Sequence, residues 1–211
     1  MKDVSAIVLA AGRSSRMGAF KPLLPFGNST VIETCLDQLD KAGAEEIVVV
    51  LGHRGDEVRE QLQQRNLAFA FNADPDAPMS TSIARGIERV RNDAGCVLIT
   101  PVDHPAVSSD TITQIIREWK AGHALVQPEH QGRGGHPVLI DLHYRDELQN
   151  LDPNNGLRGL FAKHRQEVLR LPVESPFVAQ DMDTWDDYLC LHEAVFGHKP
   201  AGFAPPHSAN D

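Results

Sequence analysis

The chain has 211 residues and 23.2 kDa, with 20 Lys plus Arg against 29 Asp plus Glu and a formal net charge of −9. Its 41% apolar content can offset the ordering entropy that keeps low-hydrophobicity chains unfolded, and its length suits one domain, so disorder and a multidomain array are excluded. An acidic chain lacks the basic surface that displaces counterions from a phosphate backbone, which excludes a general nucleic-acid binder and requires any anionic ligand to be met locally.

Short β-branched runs alternate with helical spacings, the pattern of βα units around a mainly parallel, buried sheet. Val4–Leu9 reads as the first strand. A Thr30-x-x-Glu33 capping box opens a helix with Val31, Ile32, Cys35, Leu36 and Leu39 on its apolar face, and Gly43 ends it. Ile47–Leu51 is a strand buried on both faces, 56–64 a polar helix and Leu67–Phe71 a third strand. Ile83, Ile87 and Val90 line one face of a helix running from near Ser80 to before Gly95. Cys96–Thr100 is a fourth strand, stopped by Pro101. Ile112, Ile115, Ile116 and Trp119 predict a helix after Ser108–Asp110. Two strands, 124–127 and 137–140, flank the loop 129–136; a helix at 157–163, a strand at 168–171 and a last helix at 185–196 follow. These elements predict a single α/β domain over 1–196, a mainly parallel sheet with helices on both faces, and a disordered tail over 197–211.

Cys35, Cys96 and Cys190 are odd in number and widely spaced, so they form neither a disulfide framework nor a paired metal motif, and a reducing, cytoplasmic setting is expected. The apolar run Ala6–Ala11 is too short for a secretory signal, and no segment approaches the roughly 20 apolar residues of a membrane span.

The first βα junction reads Leu9-Ala10-Ala11-Gly12-Arg13-Ser14-Ser15-Arg16-Met17-Gly18-Ala19-Phe20-Lys21-Pro22. Open α/β sheets bind ligands at such a turn, where small residues let backbone amides approach a phosphate. Residues 4–32 contain Arg13, Arg16 and Lys21 and no acid, a local charge of +3. The spacing fits no P-loop, because five residues separate Gly12 from Gly18 and Pro22 follows Lys21. It fits neither GxGxxG nor a Gly-x-Ser-x-Gly elbow.

The run LAAGRSSRMGAFKPLL resembles the signature of the molybdenum cofactor nucleotidyltransferases, and the likeness continues through Pro78–Ser82, Thr100–Pro105, Gly135–Val138 and Asp181–Thr184. The resemblance implies a Rossmann-like fold of the nucleotide-diphospho-sugar transferase kind and transfer of a nucleoside monophosphate to the terminal phosphate of molybdopterin, with release of pyrophosphate. It implies that Leu9, Ala10, Ala11 and Gly12 hold the base and phosphates, with Arg13 beside them at a position that varies in the family. Arg16 would meet the β and γ phosphates, and Lys21 would neutralise charge developing at the α phosphate. Asn72, Ser80 and Ser82 would stand near the nucleotide. Pro78 and Thr81 depart from the family's usual Gly and Ser. Asp103 would ligate Mg²⁺, with Asp183 as partner and Asp181 as the alternative. His136 and Arg158 fall on the acceptor side. Leu-Ala-Ala-Gly is the form of relatives that use CTP, whereas Leu-Ala-Gly-Gly accompanies GTP; CTP is favoured, with GTP or ATP as alternatives. A sugar or alcohol phosphate acceptor, or a non-catalytic nucleotide- or cofactor-binding module, are the rival readings. A molybdoenzyme or its chaperone would receive the product; neither nucleic acid nor membrane is an expected partner.

Overall fold

The computed structural model describes residues 3–74 and 76–200. In chain order the elements are β1 (Val4–Ala10), β2 (Pro25–Phe26), β3 (Ser29–Thr30), α1 (Val31–Lys41), β4 (Glu46–Leu51), α2 (Gly55–Gln61), β5 (Ala68–Phe71), α3 (Met79–Ile87), β6 (Cys96–Pro101), α4 (Ser109–Lys120), β7 (Leu125–His130), β8 (Arg133–Gly134), β9 (Val138–Asp141), α5 (Arg145–Gln149), α6 (Gly156–Lys163), β10 (Val168–Pro172) and α7 (Trp185–Phe196). The main sheet runs β10-β7-β9-β6-β1-β4-β5, and β8 pairs with β7.

Every residue of β1 is buried, as a strand with helices on both faces requires. Val4, Ala6, Val8 and Ala10 pack toward the layer that includes α1, α4 and α7, while Ile7 and Leu9 pack toward α3, α5 and α6. The helices supply matching stripes: Val31, Ile32, Leu36 and Leu39 of α1 on one side, Ile83 and Ile87 of α3 on the other. The capping box of α1 is formed, with Glu33 N–H donating to Thr30 Oγ1 and Thr30 N–H donating to Glu33 Oε2.

Register fixes where the loops emerge. β4, β1 and β6 are parallel, with Leu9 opposite both Val50 and Pro101, and Leu51 opposite both Ala10 and Phe71 of β5. The carboxyl ends of four strands therefore open on one edge, delivering Gly12, Gly52, Asn72 and Asp103 together. β9 is antiparallel to β6 with Val138 opposite Ile99, so its amino end enters from that same edge and brings His136 with it. The His136–Pro137 bond is cis.

Several expectations are corrected. The helix expected to run from near Ser80 to before Gly95 ends at Ile87, where Arg89 N–H and Val90 N–H turn back onto Gly86 O. The helix expected over 56–64 is Gly55–Gln61. The strand expected to end at Gln127 continues through Pro128 to His130, because this edge folds onto β8 as a hairpin, Glu129 opposite Gly134. β6 takes in Pro101, whose missing N–H is not needed since the next amide, Val102 N–H, bonds Leu9 O. α5, five residues long, was not anticipated. Of the tail expected over 197–211, residues 201–211 lie outside the described residues, while Gly197 closes α7 in a left-handed conformation (φ +76°) with its N–H on Glu193 O at 2.8 Å.

Candidate active site

The glycine-poor loop after β1 is held by its neighbours rather than by a regular helix. His53 N–H donates to Ala11 O at 3.2 Å, and Gly52 lies so close that a Cβ there would sit 2.5 Å from the same oxygen. Ser14 adopts a left-handed conformation (φ 55°), and its Oγ accepts from Lys21 N–H at 3.3 Å. Buried Met17, Phe20, Leu24 and Phe26 anchor the loop in the core. These constraints fold the long Lys21 side chain inward. Its ammonium, 9% exposed as a side chain, lies 2.7 Å from Asp183 Oδ1 and 3.6 Å from Asp103 Oδ2.

Asp183 arrives from the other end of the chain. Met182 N–H donates to Asp103 O at 3.2 Å and the Met182 side chain is fully buried, which turns Asp183 into the cleft and leaves Asp181 exposed to solvent. Arg16 Nη1 reaches Asp183 Oδ2 at 2.6 Å. Burial raises the proton affinity of this carboxyl, but the Lys21 hydrogen bond and the charges of Lys21 and Arg16 outweigh it and hold Asp183 below its ordinary value.

The resulting cleft of about 330 Å³ is lined by Leu9, Ala10, Ala11, Gly12, Arg13, Arg16, Lys21, Asn72, Ser82, Asp103 and Asp183. Asn72 donates from Nδ2 to Ser82 Oγ at 3.0 Å, and its Oδ1 accepts from Asp74 N–H. Ser80 does not line this cleft: it is the second residue of α3 and is buried. Arg13 crosses to the facing loop in a two-pronged pair with Asp76, 2.9 Å at each prong. Ser14, Ser15, Pro22, Ala77, Met79, Pro101 and Val102 complete the lining, and Ser14, Ser15, Pro22, Ala77 and Met79 carry no signal that separates them from ordinary loop residues in the sequence.

Asp103 and Asp183 offer hard oxygen donors around one point, and Asp103 Oδ1 is buried without a hydrogen-bond partner; His104 Nε2 is 3.7 Å from it. Among the described residues no group of three or more His, Cys, Asp or Glu is gathered. Two carboxylates completed by substrate phosphate oxygens are what a hexacoordinate Mg²⁺ takes, so the residues fit that ion.

His136 and Arg158 lie apart from this cleft, together in a second cavity of about 650 Å³ with Gln127, Phe161, Arg165 and Arg170. Gly135 makes that possible: it packs directly on the Val178 carbonyl, with no space for a Cβ, and His136 N–H donates to the same oxygen at 2.8 Å. Burial, with the nearby His104, pushes the His136 imidazole down to about 4. Its Nδ1 faces Ile99 O at 3.4 Å; a carbonyl only accepts, so Nδ1 carries the proton and Nε2 is left as an acceptor.

A cationic loop thus closes over two carboxylates at the carboxyl edge of a parallel sheet, the edge at which open α/β sheets bind ligands. The chain belongs to the family defined by the MobA-like NTP transferase domain, which its residues 6–168 match. It is 28% identical over 92% of its length to 97% of the molybdenum cofactor cytidylyltransferase of Escherichia coli K12. It is 32% identical over 80% of its length to 72% of a probable molybdenum cofactor guanylyltransferase of Rhodopirellula baltica. Among solved structures, Rv0371c of Mycobacterium tuberculosis H37Rv superposes with a TM-score of 0.82 at 30% identity, covering 91% of this chain and 98% of that one. A further structure of that mycobacterial protein is a complex with manganese, at TM-score 0.78 and 27% identity over 91% of this chain and 98% of that one. The expected fold class, enzyme class and family stand on these matches, and among the described residues no helix is long and apolar enough to cross a membrane.

Proposed function

We propose that the protein transfers CMP from CTP to the terminal phosphate of molybdopterin, releasing pyrophosphate. The observation that carries the reading is the convergence of Lys21 on Asp183 and Asp103, 2.7 and 3.6 Å from its ammonium, beneath the small-residue loop Leu9–Gly12. The acceptor phosphate is ionised near neutral pH, so its oxygen attacks the α phosphorus without a general base, one new P–O bond forms, and the bond to the β-phosphate oxygen breaks. Positioning and charge are what the protein supplies. Backbone groups of Leu9 to Gly12 hold the nucleotide, and Asn72 and Ser82 face its base. Lys21 stabilises charge developing at the α phosphate. Arg16 leaves Asp183 for the β and γ phosphates, where its planar fork matches two oxygens. Asp103 and Asp183 would hold Mg²⁺, which would supply positive charge to offset that of the phosphates and the departing pyrophosphate. The manganese complex of the mycobacterial relative supports a divalent ion in this role. His136 and Arg158 orient the acceptor, the neutral imidazole accepting a hydrogen bond through Nε2.

The preference for CTP rests on Ala11, whose methyl narrows the floor of the cleft where a glycine would leave room for a purine. A pyrophosphate-release assay with CTP, GTP, ATP and UTP, with Mg²⁺ and with or without molybdopterin, tests it. Release that requires molybdopterin and is fastest with CTP is expected; fastest release with GTP would overturn the base assignment, and no release with any pair would overturn the activity.

A further inference from the structure

His104 sits between Asp103 of the cleft and Pro105, and its side chain turns inward, 8% exposed. It lines a void of about 10 Å³ together with Leu39, Val107, Ile112 and Pro137. An imidazole among such neighbours loses its hydration, a cost that an apolar side chain of the same size would not carry, so a use for its ring nitrogens is called for. Polar side chains that share the void bond elsewhere: Cys35 Sγ–H on Val102 O at 3.6 Å, Thr100 Oγ1–H on Pro101 O at 3.1 Å, and Gln38 Oε1 accepting from Ser109 N–H at 2.8 Å. His104 Nδ1 and Asp103 Oδ1 are both buried without a hydrogen-bond partner.

The two side chains divide the carboxylate between them and the cleft. His104 Nε2 lies 3.7 Å from Asp103 Oδ1, whereas Asp103 Oδ2 faces the Lys21 ammonium at 3.6 Å, so one oxygen is turned to the imidazole and the other to the cleft. A carboxylate oxygen only accepts; the proton therefore sits on Nε2, and Nδ1 is left as an acceptor that the void, with the space of one water, can satisfy. Met182 N–H already pins the Asp103 carbonyl at 3.2 Å, which leaves rotation of the carboxylate as the freedom still to be fixed. On the reading of nucleotidyl transfer above, on which this inference rests, Oδ2 is the oxygen offered to Mg²⁺. We infer that His104 is a positioning residue whose Nε2–H donates to Asp103 Oδ1 and so holds Oδ2 toward the ion. The approach closes to a hydrogen bond of about 2.9 Å by a small side-chain rotation, as contacts of this kind tighten in the loaded site. His104 lines neither of the two cavities described above and acts through Asp103.

Three substitutions separate this role from packing. Glutamine places an N–H near the position of Nε2, asparagine near that of Nδ1, and phenylalanine keeps the ring with neither nitrogen. The dissociation constant of the Mn²⁺–CTP complex from the full chain, read by water-proton relaxation, should rise about 10-fold in His104→Phe and in His104→Asn, the scale for losing a group that orients a metal ligand, and His104→Gln should recover most of it. A packing role gives the reverse order, with phenylalanine nearest wild type and glutamine worst; that order, or an unchanged constant in a folded His104→Phe, would overturn the inference. Independently of any variant, ¹⁵N NMR of the wild-type chain with Mg²⁺ and CTP should show the proton of His104 on Nε2, and a proton on Nδ1 with Nε2 bare would overturn it equally. Neither readout needs turnover. If both come out as expected and no acceptor is ever nucleotidylated, the transfer reading fails and the role of His104 stands.

Discussion

Replacing Lys21 by Met keeps the bulk of the stem and deletes the charge on which both acidic residues of the cleft converge. The ammonium side chain is 9% exposed, while those of Asp183 and Asp103 are 25% and 22% exposed. Removing one member of a fully buried pair costs about 3–5 kcal/mol; with partners this open to water, about 1–3 kcal/mol is the reasonable scale. That corresponds to a Tm lowered by roughly 2–10 °C for a domain of this size. The sign of the pH dependence follows from Asp183, whose carboxyl is held below its ordinary value by Lys21 against the opposing effect of burial. A depressed carboxyl contributes stability above its unfolded pKa, about 3.9, and the contribution fades as pH falls through the folded value. The gap between wild type and Lys21→Met should therefore be full at pH 7 and shrink as the pH is lowered through and below about 4. Urea unfolding at a series of pH values measures it, and a gap that stays constant across the series would refute the pairing. In turnover the same variant should lose about 10²–10³-fold in kcat with a smaller change in nucleotide KM, since the charge acts on the developing α-phosphate charge; the reverse split would place Lys21 elsewhere.

Asp103→Asn should leave the fold and its Tm within a few degrees while abolishing Mg²⁺-dependent turnover; an active variant would remove Asp103 from the ion's site. Gly52→Ala should weaken both stability, by about 1–3 kcal/mol, and nucleotide affinity, because the new methyl lies 2.5 Å from Ala11 O; unchanged nucleotide KM in this variant would show that the loop does not depend on that approach. Breaking the exposed Arg13–Asp76 pair with Asp76→Asn should cost under about 1 kcal/mol of stability and show itself in nucleotide KM, read by steady-state kinetics. Burial pushes His136 down to about 4, so between that value and about 6.5 the unfolded chain binds a proton that the folded one refuses, and stability should fall as pH falls through this window; His136→Gln should flatten the slope.

The strands and their order of appearance were legible because Val4–Ala10, Glu46–Leu51 and Cys96–Pro101 are buried on both faces and so read as continuous apolar runs. The loop at Gly12–Lys21 stood out because three cations gather there without an acid. Direction was not legible. β9 is antiparallel, yet a strand buried on both faces carries the same apolar run whichever way it points. α5 is too short for a helical period to register. The choice between Asp181 and Asp183 depends on Met182 filling the core and on an ion pair spanning 162 residues, and no local spacing encodes either. Ser80 and Ser82 are equivalent in the sequence, and the phase of α3 alone separates the one at the cleft from the one beneath it. Arg165 and Arg170 join Arg158 only because β10 lies parallel to β7, with Arg170 opposite Gln127.

The Lys21–Asp103–Asp183 cleft is proposed to join a nucleotide to a phosphate acceptor. Mass spectrometry of the products from CTP, Mg²⁺ and molybdopterin tests it most directly. One species with the mass of the acceptor plus a cytidylyl group is expected, formed one for one with pyrophosphate and absent when Lys21 or Asp103 is replaced. CTP hydrolysed to CMP with the acceptor unchanged, or an adduct that persists in Asp103→Asn, would contradict it.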